Sequence, residues 1–245
     1  MAESEEDAQL FGKKSILAFI GARASSKGLR NKNTRSFAGK PLICWTIEAA
    51  LGSKFIDRTL VSTDGFRIAR IAKAAGASVP FMRPAELATD TASLLHSIRH
   101  ATHWLAEHEG NAYDYVMMLQ PTSPLRNVRH INEAISYYFK HRKTNLDTLV
   151  SVTCAPAKTG WLLQRRQSGY IEFCFPTTAQ KLERRSLPEY FFPNGAIFFG
   201  PLGVWSKRLF YSARTIPFLM PESASVDIDT AEDFKRALEL YNLNE

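Results

Sequence analysis

From Ser15 onward, short apolar runs alternate with amphipathic stretches. Ser15-Ile-Leu-Ala-Phe-Ile-Gly21 has the length and unbroken apolar content of a strand buried on both faces. A polar, basic loop occupies residues 22–39, and a helical pattern follows over 41–50, where Pro41 suits a first turn. The spacing then predicts a strand at 58–62, a helix at 66–75 stopped by Gly76, a strand at 78–82 and a long helix at 91–107. A strand at 115–119, a helix at 128–139 and a strand at 148–152 complete the run. This order argues for an α/β fold whose mainly parallel sheet carries helices on both faces. Ligands in such sheets bind beyond the carboxyl ends of the strands. Polar clusters at 23–33, 62–64, 83–90 and 120–126 follow successive strands, so they are expected to converge on one cleft.

Alternation breaks over 155–192, a polar stretch with a hairpin turn expected around Ser168-Gly169. It is too long for a tight connection and reads as an arm or subdomain. A strand at 195–199 and a helix at 230–241 end the pattern, with Asp229 or Thr230 at the helix N-cap. The organisation expected is a disordered acidic lead-in at 1–14 and a single domain at 15–245 that includes the 155–192 excursion. Residues 1–9 lack the order of charges and apolar residues of a signal or transit peptide.

Composition narrows the classes. The 245 residues are 45% hydrophobic and 22% charged, ordinary for a soluble globular chain. No apolar run approaches the roughly 18 residues needed to cross a bilayer, so no membrane association is expected. Cys44, Cys154 and Cys174 are odd in number and lack metal-ligand spacing, which reads as free thiols in a reducing cytoplasm. The net charge of +7 favours anionic partners. Neither a Lys/Arg-rich tail nor an RNA-binding aromatic signature accompanies it, so nucleic acid is not expected.

The densest chemistry lies in Gly21-Ala-Arg-Ala-Ser-Ser-Lys-Gly-Leu-Arg-Asn-Lys-Asn33, which gathers Arg23, Lys27, Arg30 and Lys32 just after a buried strand. Small residues between the charges let backbone N–H groups approach a polyphosphate closely, though the Gly-Lys-Ser/Thr ending of a P-loop is missing. A solvated basic loop is the alternative reading. Asp227 and Asp229 are two apart, so an extended segment turns both carboxylates to one side, as hard oxygen ligands for Mg²⁺. Helix capping by Asp229 is the competing role. His96, His100 and His103 share one helix face and read as a packed or solvated face, and Asp64 reads as structural.

These segments resemble the cytidylyltransferases that activate acidic sugars, above all the acylneuraminate (CMP-sialic acid and CMP-nonulosonic acid) branch. The family pattern A-R-x-x-S-K-G-x-x-x-K-N stands here as Ala22-Arg23, Ser26-Lys27-Gly28 and Lys32-Asn33. Ala38-Gly-Lys-Pro-Leu42, Val61-Ser-Thr-Asp64, Arg83-Pro-Ala-Glu-Leu-Ala88 with Asp90, Leu119-Gln-Pro-Thr-Ser-Pro-Leu-Arg126, Pro193-Asn-Gly-Ala-Ile197 and Asp227-Ile-Asp229 agree in the same order. The resemblance implies a three-layer Rossmann-like nucleotidyltransferase fold with a small dimerisation arm. It also implies transfer of CMP from CTP to the anomeric hydroxyl of an acidic nine-carbon sugar by a cytoplasmic homodimer, with Mg²⁺ or Mn²⁺ as cofactor.

In that register Arg23 and Lys32 hold the triphosphate with help from Ser26 and Lys27, and Ala22 belongs to the same nucleotide-binding loop. Asn33 lies near the ribose, while the Arg83 segment and Ala92 read the cytosine through the backbone. Asp227 and Asp229 bind metal, Asp229 counting with Arg23 and Lys32 as catalytic. Gln120 and Asn194 face the acceptor, and Lys158 and Arg184 reach it from the arm. Phe192 stands where relatives often have arginine and Leu94 where they often have serine or threonine. Both make the expected pocket more apolar and favour a legionaminic or pseudaminic acceptor over N-acetylneuraminate. A CMP-KDO synthetase and a catalytically silent relative are the alternatives.

Overall fold

The structure is a computed structural model that describes residues 14–25, 28–175, 188–205 and 211–243. The chain enters through β1 (Ile16–Gly21), a short 3₁₀ turn (Lys32–Thr34), the paired β2 (Ser36–Phe37) and β3 (Lys40–Pro41), and α1 (Leu42–Leu51). β4 (Arg58–Ser62), α2 (Phe66–Ala74), α3 (Leu94–Glu109), β5 (Tyr115–Leu119), α4 (Val128–His141) and β6 (Thr148–Cys154) follow. The excursion holds the hairpin β7 (Leu163–Arg165) and β8 (Ile171–Phe173). β9 (Phe191–Pro201), α5 (Leu202–Trp205), β10 (Thr215–Leu219) and α6 (Ala231–Leu243) complete the chain.

Among the described residues six strands form one sheet in the order β10-β6-β9-β5-β1-β4. β1 runs parallel to β4 and β5, and β10 parallel to β6, while β9 is antiparallel to both neighbours. Period-2 alternation in β1 divides the core. Ile16, Ala18 and Ile20 pack with Ile43 and Ile47 of α1, Ile68 of α2 and Ile131 and Ile135 of α4. Leu17 and Phe19 pack on the other face with Leu95, Ile98 and Leu105 of α3 and Trp205 of α5. A strand covered by helices on both sides has no polar face to show, which is why β1 and β5 are apolar throughout.

Three expectations change. Residues 78–82 do not form a strand: only Ser78 bridges to Leu60, and Pro80 lacks the N–H that would extend the ladder. The expected five-residue strand at 195–199 is the centre of the 11-residue β9. β10 escaped the sequence pattern because Pro217 interrupts it, and proline is tolerated there because β10 is an edge strand. Helix α1 begins just after Pro41, and α3 at Leu94, where the Ser93 hydroxyl accepts from Leu95 N. The hairpin turn at Ser168-Gly169 is present, with Gly169 at φ 91°. Residues 1–13 of the expected lead-in lie outside the described residues.

Candidate active site

At the carboxyl ends of β1, β4 and β5 lies a cleft of about 390 Å³, lined by Arg23, Lys32, Asn33, Arg83, Ala92, Leu94, Gln120 and Asp229 among others. The strand-end clusters therefore converge as the topology requires. A larger groove of about 700 Å³, between α1, the start of α4 and Tyr241, holds none of the residues assigned from the sequence to the nucleotide, metal or acceptor.

The basic loop is tied down before any ligand arrives. Ala22 N donates to Ser62 O at 3.0 Å, and Ala24 N to Asp64 Oδ1 at 2.9 Å, giving Asp64 its structural role. Asn31 takes a left-handed φ of 57°, turning the chain into the 3₁₀ segment that carries Lys32 and Asn33. Asn33 is buried and donates Nδ2 to Arg23 O at 3.1 Å, and among the described residues its Oδ1 has no partner. Arg23 donates to Thr89 O at 2.8 Å and pairs with Asp90 at 3.1 Å, so the loop is latched to the segment that carries Ala92. Ser26 and Lys27 lie outside the described residues.

Arg83 is buried at 5% exposure, its guanidinium bonded to Ser62 Oγ at 3.0 Å and to Ser62 O. Burial pushes it down to about 10, with Asp64 acting against the shift and Arg23 with it. The backbone N of Arg83 donates to Thr63 O. Leu94 lines the cleft but lies against Gly21 and beside Arg83. Its apolar surface therefore forms part of the wall of the cleft that Gln120 also lines.

The two aspartates divide their work. Asp229 is exposed and meets Lys32 Nζ at 2.8 Å, with the lysine side chain only 12% exposed. Asp229 does not cap α6. Thr230 Oγ1 accepts from Asp233 N at 3.2 Å and the Asp233 carboxylate accepts from Thr230 N at 2.8 Å, so this box caps the helix and leaves Asp229 to the cleft. Asp227 is mostly buried; burial first, and then the Asp229 charge, push its carboxyl up, against hydrogen bonding from Thr122 and the charge of Lys32. Its Oδ1 is buried and has no partner among the described residues. A Cβ on Gly28 would stand 2.3 Å from Asp229 O, so only glycine lets the basic loop touch this segment.

Of the residues expected to face the acceptor, Gln120 lines the cleft and its Oε1 accepts from Thr122 Oγ1 at 3.3 Å. Asn194 sits behind the cleft wall in a bulge where the register between β6 and β9 shifts. The Ser151 hydroxyl fills that bulge, bonded to the Asn194 side chain and to both backbone groups of Ile197. Asn194 Nδ2 donates to Ser225 Oγ at 2.9 Å and its Oδ1 accepts from Ala196 N, so the amide is committed inside the fold. The bulge sets Gly195, at φ 72°, against the Asp227 carboxylate. Phe192 is half-exposed outside the cleft, Lys158 is exposed on a 3₁₀ turn of the arm, and Arg184 lies outside the described residues.

His100 packs edge-on against Phe81, and His103 pairs with Glu107 at 3.0 Å. The sequence reading gave no role to Thr122 or Ser151, and it named Asp90 without its pairing to Arg23. Thr122 had a signal in the Leu119–Arg126 motif, and Ser151 had none.

The cytidylyltransferase family profile matches residues 17–158. An N-acylneuraminate cytidylyltransferase of Escherichia coli O18:K1:H7 is 37% identical over 91% of this chain and 51% of its own length. A CMP-N,N'-diacetyllegionaminic acid synthase of Legionella pneumophila is 38% identical over 94% of this chain and 97% of its own. A pseudaminic acid cytidylyltransferase of Campylobacter jejuni is 30% identical over 93% and 97%. The chain thus spans about half the length of the Escherichia relative and nearly all of the other two. Among solved structures, a CMP:2-keto-3-deoxy-manno-octonic acid synthetase complexed with CTP shares the fold at TM-score 0.69 and 17% identity, covering 95% of this chain and 100% of that one. A 4-diphosphocytidyl-2C-methyl-D-erythritol synthase from Anaerococcus prevotii does so at TM-score 0.64 and 12% identity, covering 96% and 99%. The fold is therefore the three-layer nucleotidyltransferase fold, and the chain belongs to the cytidylyltransferase family.

Proposed function

We propose that the chain transfers CMP from CTP to the anomeric hydroxyl of a nonulosonic acid, releasing pyrophosphate. The observation that carries this reading is the single cleft in which Arg23, Lys32 and Arg83 face Gln120 and Asp229. Two anions, a triphosphate and a sugar carboxylate, must meet there, and fixed cations lower the cost of that encounter. Arg23 and Lys32 bind the triphosphate, exchanging their ties to Asp90 and Asp229 for phosphate oxygens. Gln120 orients the acceptor. The acceptor we propose is of the legionaminic type, supported by the Legionella relative that the chain matches over almost its whole length.

Asp227 and Asp229 would hold Mg²⁺ or Mn²⁺. The fit rests on the buried Asp227 Oδ1, which lacks a partner, and on the all-oxygen character of the pair. Among the described residues no third acidic, His or Cys side chain joins them, so phosphate and water oxygens would complete the shell. When bound, the ion supplies charge neutralisation at the phosphates and acidifies the attacking hydroxyl.

We further propose a homodimer formed through the arm, whose Tyr170 and Ile171 are 78% and 66% exposed, with Lys158 and Arg184 reaching the neighbouring cleft. A cytoplasmic site of action suits the three free cysteines. Among the described residues no helix is long and apolar enough to cross a membrane. Pyrophosphate release from CTP with N,N'-diacetyllegionaminic, pseudaminic, N-acetylneuraminic and KDO acceptors tests the reading. Fastest turnover with the first is expected; no turnover with any refutes the reaction, and preference for N-acetylneuraminate refutes the sugar.

A further inference from the structure

The turn that follows β5 is built around a charge with no counter-ion. Arg126 is 1% exposed, and among the described residues no carboxylate pairs with it. Its Nη2 donates to Thr46 Oγ1 at 2.6 Å and to Gln120 O at 3.4 Å, while Nε and Nη1 have no partner. Thr46, fully buried on α1, donates its own hydroxyl to the same Gln120 carbonyl at 3.3 Å, and Ser123 N adds a third donor at 3.5 Å. Burying an ion this way costs several kcal/mol in general, and an apolar residue of equal volume is often neutral or stabilising in its place. Stability therefore gives no reason for a guanidinium here.

Geometry does. The gripped carbonyl belongs to Gln120, whose side chain lines the cleft. Its Oε1 accepts from Thr122 Oγ1, and Thr122 O accepts from Ile228 N at 2.8 Å, between Asp227 and Asp229. Fixing one carbonyl therefore sets the acceptor amide and braces the acidic segment. The hydrogen bonds that tie down residues 21–33 and 83–92 run mainly to Ser62, Thr63, Asp64, Thr89 and Asp90, with Lys32 reaching Asp229, and among the described residues none is made directly to residues 120–126.

We infer that Arg126, acting with Thr46, is a positioning residue for the acceptor: its buried guanidinium clamps the Gln120 carbonyl and so aligns the sugar hydroxyl with the nucleotide. The inference rests on the proposed reaction. Its test uses Arg126→Met, Arg126→Lys, Thr46→Val and the Met/Val double variant, with N,N'-diacetyllegionaminic acid as acceptor. Three quantities are read: thermal midpoint, CTP dissociation constant by calorimetry, and acceptor kcat/KM.

For Arg126→Met the midpoint stays level or rises, the CTP constant stays within about threefold, and acceptor kcat/KM falls by about 10- to 100-fold, as expected for a misplaced substrate. Arg126→Lys, which retains donors, recovers part of the loss. Thr46→Val moves the same way, and the double variant is no worse than Arg126→Met because both act through one carbonyl. Unchanged acceptor kinetics overturn the inference, as do CTP and acceptor parameters falling together with a lowered midpoint, or losses that add independently. Should Arg126→Met fail to fold, Thr46→Val still decides between the acceptor-only loss and the joint one. A wild-type protein inactive with all four acceptors named above refutes the reaction itself, whereas an active wild type matched by Arg126→Met refutes only the clamp.

Discussion

Removing the Asp229 carboxylate is expected to act in opposite directions with and without metal. Asp229 holds the Lys32 ammonium at 2.8 Å, and the lysine is nearly buried while the aspartate is 73% exposed. An ion pair with one partner that open to water is worth at most about 1 kcal/mol. An incoming triphosphate must give up that amount to recruit Lys32, and it also meets the aspartate's negative charge. In Asp229→Ala both obstacles vanish, so CTP measured by calorimetry in EDTA should bind about fivefold tighter, the equivalent of about 1 kcal/mol. With Mg²⁺ the sign reverses: the gain in CTP affinity on adding the ion shrinks, and pyrophosphate release falls by about 100-fold or more, the scale of losing one preorganised charge at a reacting phosphate. The thermal midpoint should hardly move, because Thr230 and Asp233 cap the helix without Asp229. Weaker CTP binding in EDTA would refute the restraint on Lys32, and undiminished turnover with Mg²⁺ would refute the metal role.

Gly28→Ala places a methyl 2.3 Å from Asp229 O, so the basic loop must lift away; CTP kcat/KM is expected to drop about 10-fold or more with little change in the thermal midpoint, checked by steady-state assay and calorimetric scan. Thr230→Val removes the hydroxyl that accepts from Asp233 N and should cost about 1 kcal/mol in urea unfolding. His130 closes a capping box at the start of α4, its Nδ1 accepting from Asn127 N, and burial holds its imidazole below the ordinary value of 6.5. The unfolded chain therefore takes up the proton first: this contribution is intact above 6.5 and is lost as pH falls through the depressed folded-state value. Urea midpoints should show that acid-side loss in the wild type, and His130→Gln, which can rebuild the box without titrating, should flatten it.

The parts of this molecule that were legible from sequence are those where one local rule decides. β1 and β5 declared themselves because burial on both faces excludes polar residues. The helices showed a 3.6-residue period, and Gly110 at φ 67° and Ser93 mark the ends of α3. β10 stayed hidden because its partner β6 is contributed from more than sixty residues away and its own Pro217 reads as a breaker. The basic loop and the Asp227–Asp229 pair were legible as charge; which of the two is buried was not, since that depends on Gly195 and Thr122 closing over Asp227. Arg126 was visible only as the last letter of a motif. Nothing local says that an arginine between two turns is buried under α1, because Thr46 is eighty positions away. For a related reason the motif gave Leu94 its neighbours in sequence but not that it would lie on Gly21.

The 11-residue β9 also has a mechanical consequence. Its first residues pair with the outer end of β6, and its later ones lie clamped between β5 and β6 at the centre of the sheet. A pull or push applied near Phe191 travels along one stiff rod and finds its first yielding point at the Ser151-filled bulge, where Asn194 and Gly195 back the Asp227 carboxylate. Anything that displaces Phe191 thus has a lever on the acidic end of the cleft.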